Sequence, residues 1–317
     1  MRYETLGAAG PRVPALVLGC GNFGGIGSPV RFRGKGDNRD AAFEIMDAAR
    51  ASGITMFDTA DAYAGGISEQ WIGEWLADRQ AHHDIAVTTK VGGPTDAGSG
   101  LSRDHIRGQL DASLRRLGVE RVALYLAHGP DETVPIEETV GTFEELVAAG
   151  KIGSYGVSNV TAAQLSAATA AGRPVNVQNG YNLFDRQSQA ELWPVCAAEG
   201  VGFSAYSPLA GGLLTGKHRA GQPYAPGSRM ALRPPELTDL SLDNAFRALP
   251  KLAEIADGYG VPLTTMALAW VLTDPGVTAA VVGPRSEGHL KPMVAAVDLT
   301  LTPQQRAELV TAINSGA

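Results

Sequence analysis

The chain has 317 residues, a mass of 33.0 kDa, a net charge of −7 and a pI near 5.4. Hydrophobic residues at 44% and charged residues at 19% exclude a disordered or collagen-like chain. The acidic balance argues against a nucleic-acid partner, which needs a basic face. Two cysteines, Cys20 and Cys196, supply neither a disulfide framework nor a cysteine zinc site. No apolar run is long enough to span a bilayer. The segment Met1–Gly7 lacks the apolar core of a signal peptide. A cytoplasmic protein with no membrane and no nucleic-acid partner is therefore expected.

In chain order, residues 3–14 read as a hairpin, with Gly7 and Gly10 between short runs. Short β-rich runs then recur at Ala15–Leu18, Ile54–Phe57, Ile85–Val91, Val122–Ala127, Ile152–Val157, Val175–Gln178, Val201–Tyr206 and Ala279–Val282. Several lack alternation, as expected of parallel strands buried on both faces. Between them lie amphipathic helical segments; Ile106, Leu110, Leu114 and Leu117 share one face of Ser102–Leu117. Thr161 with Gln164, and Thr302 with Gln305, have capping-box spacing, and Pro303 suits a first helical position. Gly118, Gly150 and Gly200 mark helix stops. Eight strands, each followed by a helical crossover, predict a (β/α)8 TIM barrel closed below by the hairpin, a single domain over residues 1–317. Residues 215–244, rich in Pro and Gly, read as a long insertion after the seventh strand.

Gly19-Cys20-Gly21-Asn22-Phe23-Gly24 matches the G-x-G-x-x-G dinucleotide fingerprint. That motif needs a helix to open at once and an acid about 20 residues on. Here Gly25-Ile26-Gly27-Ser28-Pro29 follows, and Asp58 lies well past that spacing. A βα loop at a barrel mouth is the better reading.

Polar residues close the predicted strands: Asp58, Lys90, His128, Ser158-Asn159, Gln178 and Tyr206-Ser207. In a parallel barrel these ends share one rim, where active sites are built. Each residue alone has an ordinary structural explanation, Asp58 as a helix cap or Lys90 as a solvated charge. Their convergence points to chemistry. A lysine ammonium beside Tyr63 would stabilise its phenolate and lower its pKa, with Asp58 holding the lysine. Such a phenol can protonate a carbonyl oxygen, His128 can orient that oxygen, and the natural hydride partner is a nicotinamide.

At these residues the sequence resembles the aldo-keto reductase family. Phe57-Asp58-Thr59-Ala60-Asp61-Ala62-Tyr63-Ala64-Gly65-Gly66-Ile67-Ser68-Glu69, with Gly73 following, is similar to its D-T-A-x-x-Y-G-x-G-x-S-E block, with Ala64 at a usual glycine. Thr88-Thr89-Lys90, Leu126-Ala127-His128, Gly156-Val157-Ser158-Asn159 and Ser204–Lys217 resemble further family blocks. The resemblance implies NAD(P)H-dependent reduction of a small-molecule carbonyl, or oxidation of an alcohol in reverse, with catalytic Asp58, Tyr63, Lys90 and His128. It also implies a nicotinamide held by Ser158, Asn159, Gln178 and Tyr206. Ser207, Leu209, Gly211 and Lys217 would line the pyrophosphate path, and Gly21, Asn22, Pro208 and Arg229 would also touch the cofactor. Gly283, Arg285, Ser286 and His289 would hold the adenosine end. Arg285 favours NADPH, with NADH possible, since a guanidinium binds phosphate bidentately. His289 and Met293 replace usual family residues, and Pro292 is expected to break the helix there. The resemblance leaves two alternatives open: an NAD-linked aldose or pyridoxal-type dehydrogenase running oxidatively, and a cofactor-binding regulatory subunit akin to potassium-channel β-subunits. At the substrate end, Gly129 replaces a large aromatic and suggests a roomy pocket, which Tyr224 and Met230 could cover. Arg31, Arg33 and Lys35 read as a solvated loop or as attraction for an anionic substrate.

Overall fold

The computed structural model describes residues 1–224, 226, 228–232 and 241–314. Strands β1 (Tyr3–Thr5) and β2 (Arg12–Pro14) form an antiparallel hairpin, in which Glu4 pairs with Val13. Eight parallel strands follow: β3 (Leu16–Gly19), β4 (Met56–Asp58), β5 (Ala86–Val91), β6 (Val122–Ala127), β7 (Ile152–Ser158), β8 (Asn176–Gly180), β9 (Gly202–Tyr206) and β10 (Ala279–Val282). They close in sequence order, with Ala280 of β10 facing Leu16 of β3 at the seam. This is the expected (β/α)8 barrel. The helix that follows β3 begins only at Arg39, capped by the Asn38 side chain, so the glycine fingerprint sits in a loop and no Rossmann unit forms.

Two apolar cores result from the strand pleat. Inward residues Val17, Met56, Leu124, Leu126 and Ala279 form a small core with Leu6 and Val13 of the hairpin. The hairpin is therefore the barrel's floor. It is tied down where Ala8 N–H donates to the Gly200 carbonyl at 2.7 Å, and a side chain at Gly7 would strike that carbonyl. The larger core lies between barrel and helices and holds Trp75 and Trp270.

Five of the eight strands, β3, β4, β5, β8 and β9, begin one or two residues later than the apolar runs suggest. Ile54, Ile85 and Val201 donate their N–H groups back to Ala49, Ala81 and Cys196. They are hydrophobic closers of the preceding turn, and at two of them the residue before is a left-handed glycine, Gly53 or Gly200. The helix signals hold: Thr161 and Gln164 form a reciprocal capping box, as do Thr302 and Gln305. Pro292 does not end its helix, contrary to expectation. The helix α11 runs Glu287–Ala295, because Leu290 and Met293 are buried on either side of the lost bond and the burial outweighs it. Of the insertion 215–244, residues 225, 227 and 233–240 lie outside the described residues. Met230 is buried in the core and Tyr224 stacks near Phe246 at 6.4 Å, so neither covers the pocket described below.

The helix after β4, α2 (Ile67–Asp78), packs closely on α3 (Arg103–Leu117) at Gly73, where an added Cβ would lie 2.3 Å from the Arg116 carbonyl oxygen. Gly108 of α3 faces open space. Gly73→Ala is expected to destabilise by about 1–3 kcal/mol. Gly108→Ala is expected to stabilise by up to about 1 kcal/mol. Paired denaturant titrations would reveal the opposite signs.

Candidate active site

The rim of the barrel gathers the predicted polar residues. Asp58, the last residue of β4, and Lys90, near the end of β5, are both buried, with side chains exposed by 4% and 1%. Their carboxylate and ammonium are in direct contact. Lys90 Nζ also donates to the Thr59 carbonyl at 2.8 Å, and Gln178 Nε2, from β8, donates to Asp58 Oδ2 at 2.8 Å. Three strands are thereby joined through one carboxylate. Burial alone would push the Lys90 ammonium down, but Asp58 and Tyr63 together outweigh it and hold it above its ordinary value.

Tyr63 opens a 3-10 turn, Tyr63–Gly66, between β4 and α2. Lys90 Nζ lies 5.2 Å from the centre of its ring, and His128 meets the ring edge-on at 5.5 Å between centroids. The structure thus brings Asp58, Tyr63, Lys90 and His128 into one cluster. One expectation is reversed. Burial raises the Tyr63 pKa, Lys90 pulls it down without cancelling that effect, and Asp58 adds to the rise. The reason is burial, which disfavours the phenolate more than the ammonium, itself partly offset by Asp58, favours it. Tyr63 therefore keeps its proton firmly at neutral pH. His128 is depressed to about 3 by burial and by Lys90, so its imidazole is neutral. Its Nδ1 is buried without a hydrogen-bond partner.

The turn carrying Tyr63 is supported by groups outside the predicted site. Thr59 Oγ1 and Ser68 Oγ are 2.8 Å apart, and Ser68 donates to the Cys20 carbonyl at 3.0 Å. Glu69, fully buried, accepts from Thr89 Oγ1 at 2.5 Å and from Arg116 Nε at 2.7 Å. The Ser-Glu pair at the end of the quoted block was the available signal. Ala64, where the resemblance led us to expect glycine, adopts φ 50°. Asn159, Ser207 and Ala210 are also left-handed. Four of the five non-glycine residues with positive φ among the described residues therefore stand at this rim, where strain commonly marks function.

The residues expected to hold a nicotinamide are hydrogen-bonded to one another. Ser158 Oγ donates to the Gln178 carbonyl at 2.6 Å, Asn159 Nδ2 to the His128 carbonyl at 2.6 Å, and Tyr206 OH to Asn159 Oδ1 at 2.7 Å. Ser207, Pro208, Leu209 and Gly211 follow β9 into a tight turn. There Ala210, Gly211 and Gly212 are left-handed in succession, and the N–H groups of Ala210 and Gly212 donate to the Ser207 and Leu209 carbonyls, each at 2.9 Å. Gly21 lies against Tyr63, where a side chain would meet the ring at 3.6 Å, and Gly283 faces Asn22 Nδ2 across the β3–β10 seam. Lys217, Ser286 and His289 are exposed, Arg285 is part-buried just before the Ser286 cap of α11, and Arg229 opens the short helix Arg229–Leu232. A bare glycine beside the phenol and cations near one helix N-terminus suit a dinucleotide of two phosphates and a flat ring.

Beside His128 lies an open cavity of about 580 Å³. Its walls include Ser28, Gly93, Ser99, Gly129, Asp131 and Thr133. Gly129 borders open space, as its lack of a side chain suggested. Of the basic loop, Arg33 pairs with Asp96 at 3.0 Å and Arg31 lies over Phe32 at 4.7 Å, so neither lines the cavity.

Residues 15–314 match the model of the aldo/keto reductase family. The chain belongs to that family. It is 34% identical to a probable voltage-gated potassium channel subunit beta of Arabidopsis thaliana, over 96% of this chain and 94% of that one. It is equally 34% identical to an uncharacterized oxidoreductase of Bacillus subtilis, over 95% and 92%. The structure of a glycerol dehydrogenase from Gluconobacter oxydans superposes with a TM-score of 0.84 at 25% identity, covering 99% of this chain and 96% of that one. The family and these relatives support an NAD(P)H-dependent oxidoreductase acting on small carbonyl compounds. Among the described residues no single helix is long and apolar enough to cross a membrane.

One buried acid stands apart from the expected set. Asp61 is 2% exposed, neither carboxylate oxygen has a hydrogen-bond partner, and burial together with Glu69 raises its pKa to about 8. The folded chain therefore binds a proton that the unfolded chain releases near 3.8, so this contribution to stability is lost as pH rises through 8. Urea unfolding of the wild type and Asp61→Asn from pH 6 to 9 should show the wild type losing stability relative to the variant. Parallel pH profiles would mean that Asp61 does not titrate in this range.

Proposed function

We propose that this protein reduces a small, uncharged aldehyde or ketone with an NAD(P)H cofactor, using Tyr63 as the general acid. The observation that carries the reading is the buried Asp58–Lys90 contact beneath a protonated Tyr63 and a neutral His128. When bound, the nicotinamide supplies the hydride. Ser158, Asn159 and Gln178 would fix its carboxamide, and Tyr206 would cover one face of the ring. The glycine-rich turn at Leu209–Gly212, with Lys217, would pass along the pyrophosphate. Gly283, Arg285, Ser286 and His289 would take the adenosine end.

The protein's own part is proton delivery and positioning. The Tyr63 hydroxyl donates its proton to the carbonyl oxygen as that oxygen gains charge. A buried phenol of raised pKa remains competent, because an alkoxide is far more basic than a phenolate. Lys90 then stabilises the phenolate, and Asp58 keeps the ammonium charged and in place. Neutral His128 steadies the same oxygen without competing for the proton. General acid catalysis of this kind is worth about 10²–10⁴ in rate.

The cavity supports a small polar substrate. Its walls carry short side chains and hydroxyls. They also carry the carboxylate of Asp131, fixed by the Leu101 N–H at 2.8 Å and the Thr133 N–H at 2.9 Å, and no lysine or arginine. A hydroxylated carbonyl fits this lining better than a carboxylate-bearing one, a preference in keeping with the name of the glycerol dehydrogenase relative. A second reading, a cofactor-bound regulatory subunit with little turnover, draws support from the plant potassium-channel β relatives. Turnover on a panel of short hydroxyaldehydes separates the two.

Tyr63→Phe is expected to bind cofactor normally and to lower kcat for carbonyl reduction by about 10² or more. Steady-state kinetics alongside cofactor-fluorescence titration tests this, and an unchanged kcat would take the acid role from Tyr63.

A further inference from the structure

The loop between β3 and α1 (Arg39–Ala51) places a carboxylate where the cofactor reading puts a phosphate site. Asp37 is locked by its backbone: its N–H donates to the Asn22 carbonyl at 2.7 Å, and its own carbonyl accepts from the Gly24 N–H at 3.0 Å. Its side chain reaches across the β3–β10 seam to Arg285, with Oδ1 2.6 Å from Nε. Asp37 is 8% exposed, and its second oxygen, Oδ2, is buried with no hydrogen-bond partner. The surrounding charges confirm that one cluster is formed. Burial pushes Lys217 down with help from Arg285. Burial also lowers His289, where Lys217 and Arg285 add to the fall and Asp37 opposes it.

A guanidinium already bound to a carboxylate has less to offer a phosphate. The 2′-phosphate that distinguishes NADPH brings about 1.5–2 negative charges at neutral pH, by analogy with other phosphate monoesters. It would have to approach Arg285 against the fixed charge of Asp37. The ribose hydroxyl of NADH is neutral and a donor, and an unpartnered carboxylate oxygen is the acceptor it needs. We propose that Asp37 discriminates between the two cofactors, repelling the 2′-phosphate and accepting the ribose hydroxyl of the dinucleotide that lacks it. The proposal rests on the reading that the Arg285 segment holds the adenosine end.

Equilibrium binding tests it without turnover. NADPH and NADH are titrated against wild type, Asp37→Asn, Asp37→Ser and Arg285→Ala by intrinsic fluorescence, with thermal melts to check folding. Removing the carboxylate should shift the NADPH:NADH affinity ratio toward NADPH by about tenfold, or about 1.4 kcal/mol. The serine variant should match the asparagine variant in direction. An unmoved ratio in both, or a shift toward NADH, overturns the role of Asp37. Arg285→Ala isolates the underlying reading. If it weakens NADPH while the Asp37 variants leave the ratio alone, the site stands and the discriminator falls. If it changes neither affinity, the adenosine end lies elsewhere and both fall.

Discussion

The contact between the Lys90 ammonium and the Asp58 carboxylate, sealed inside the mouth of the barrel, is the constraint on which the rest of the site depends. An ammonium buried this deeply would shed its proton without an anion beside it. It keeps its charge because Asp58 and Tyr63 outweigh the cost of burial. Removing one partner of such a pair typically costs about 3–5 kcal/mol, since it strands the remaining charge. The carboxylate also accepts from Gln178, and the ammonium from β5 reaches the Thr59 carbonyl, so the pair fixes the relative positions of three strands. Tyr63 and His128 stand over this pair.

That arrangement changes the usual expectation for a tyrosine near a lysine. A free ammonium would acidify the phenol. One partly offset by Asp58 leaves burial in control, and Tyr63 ends above its ordinary value. The lysine's contribution comes when charge develops on the phenol during the reaction. The left-handed residues Ala64, Asn159, Ser207 and Ala210 show that the backbone around this mouth is held in place by its surroundings. The buried Glu69, gripped by Thr89 and Arg116, supplies one of those supports from beneath the tyrosine turn.

Local patterns made much of this legible. The unalternating run Val122–Ala127 marks a strand buried on both faces, and it occupies those bounds in the structure. The capping boxes at Thr161 and Thr302 needed only near neighbours. The strand-terminal positions of Asp58, Lys90, His128 and Gln178 sufficed to place them at one rim, because parallel strands in a barrel all end on the same side. Strand starts were less legible: Ile54 and Val201 look like strand residues, yet their N–H groups belong to helix ends. Pro292 read as a break, but burial on both sides carries the helix through it.

Composition, periodicity and spacing by themselves determined the barrel, its floor, and which side chains reach its mouth, because those depend on nearest neighbours and on strand direction. Only the tertiary structure decided how those side chains act on one another. The pKa of Tyr63 depends on whether Lys90 is already paired, and the character of Arg285 depends on Asp37, 248 residues away in the chain. Electrostatic energies fall off with distance through space, and the sequence does not record that distance.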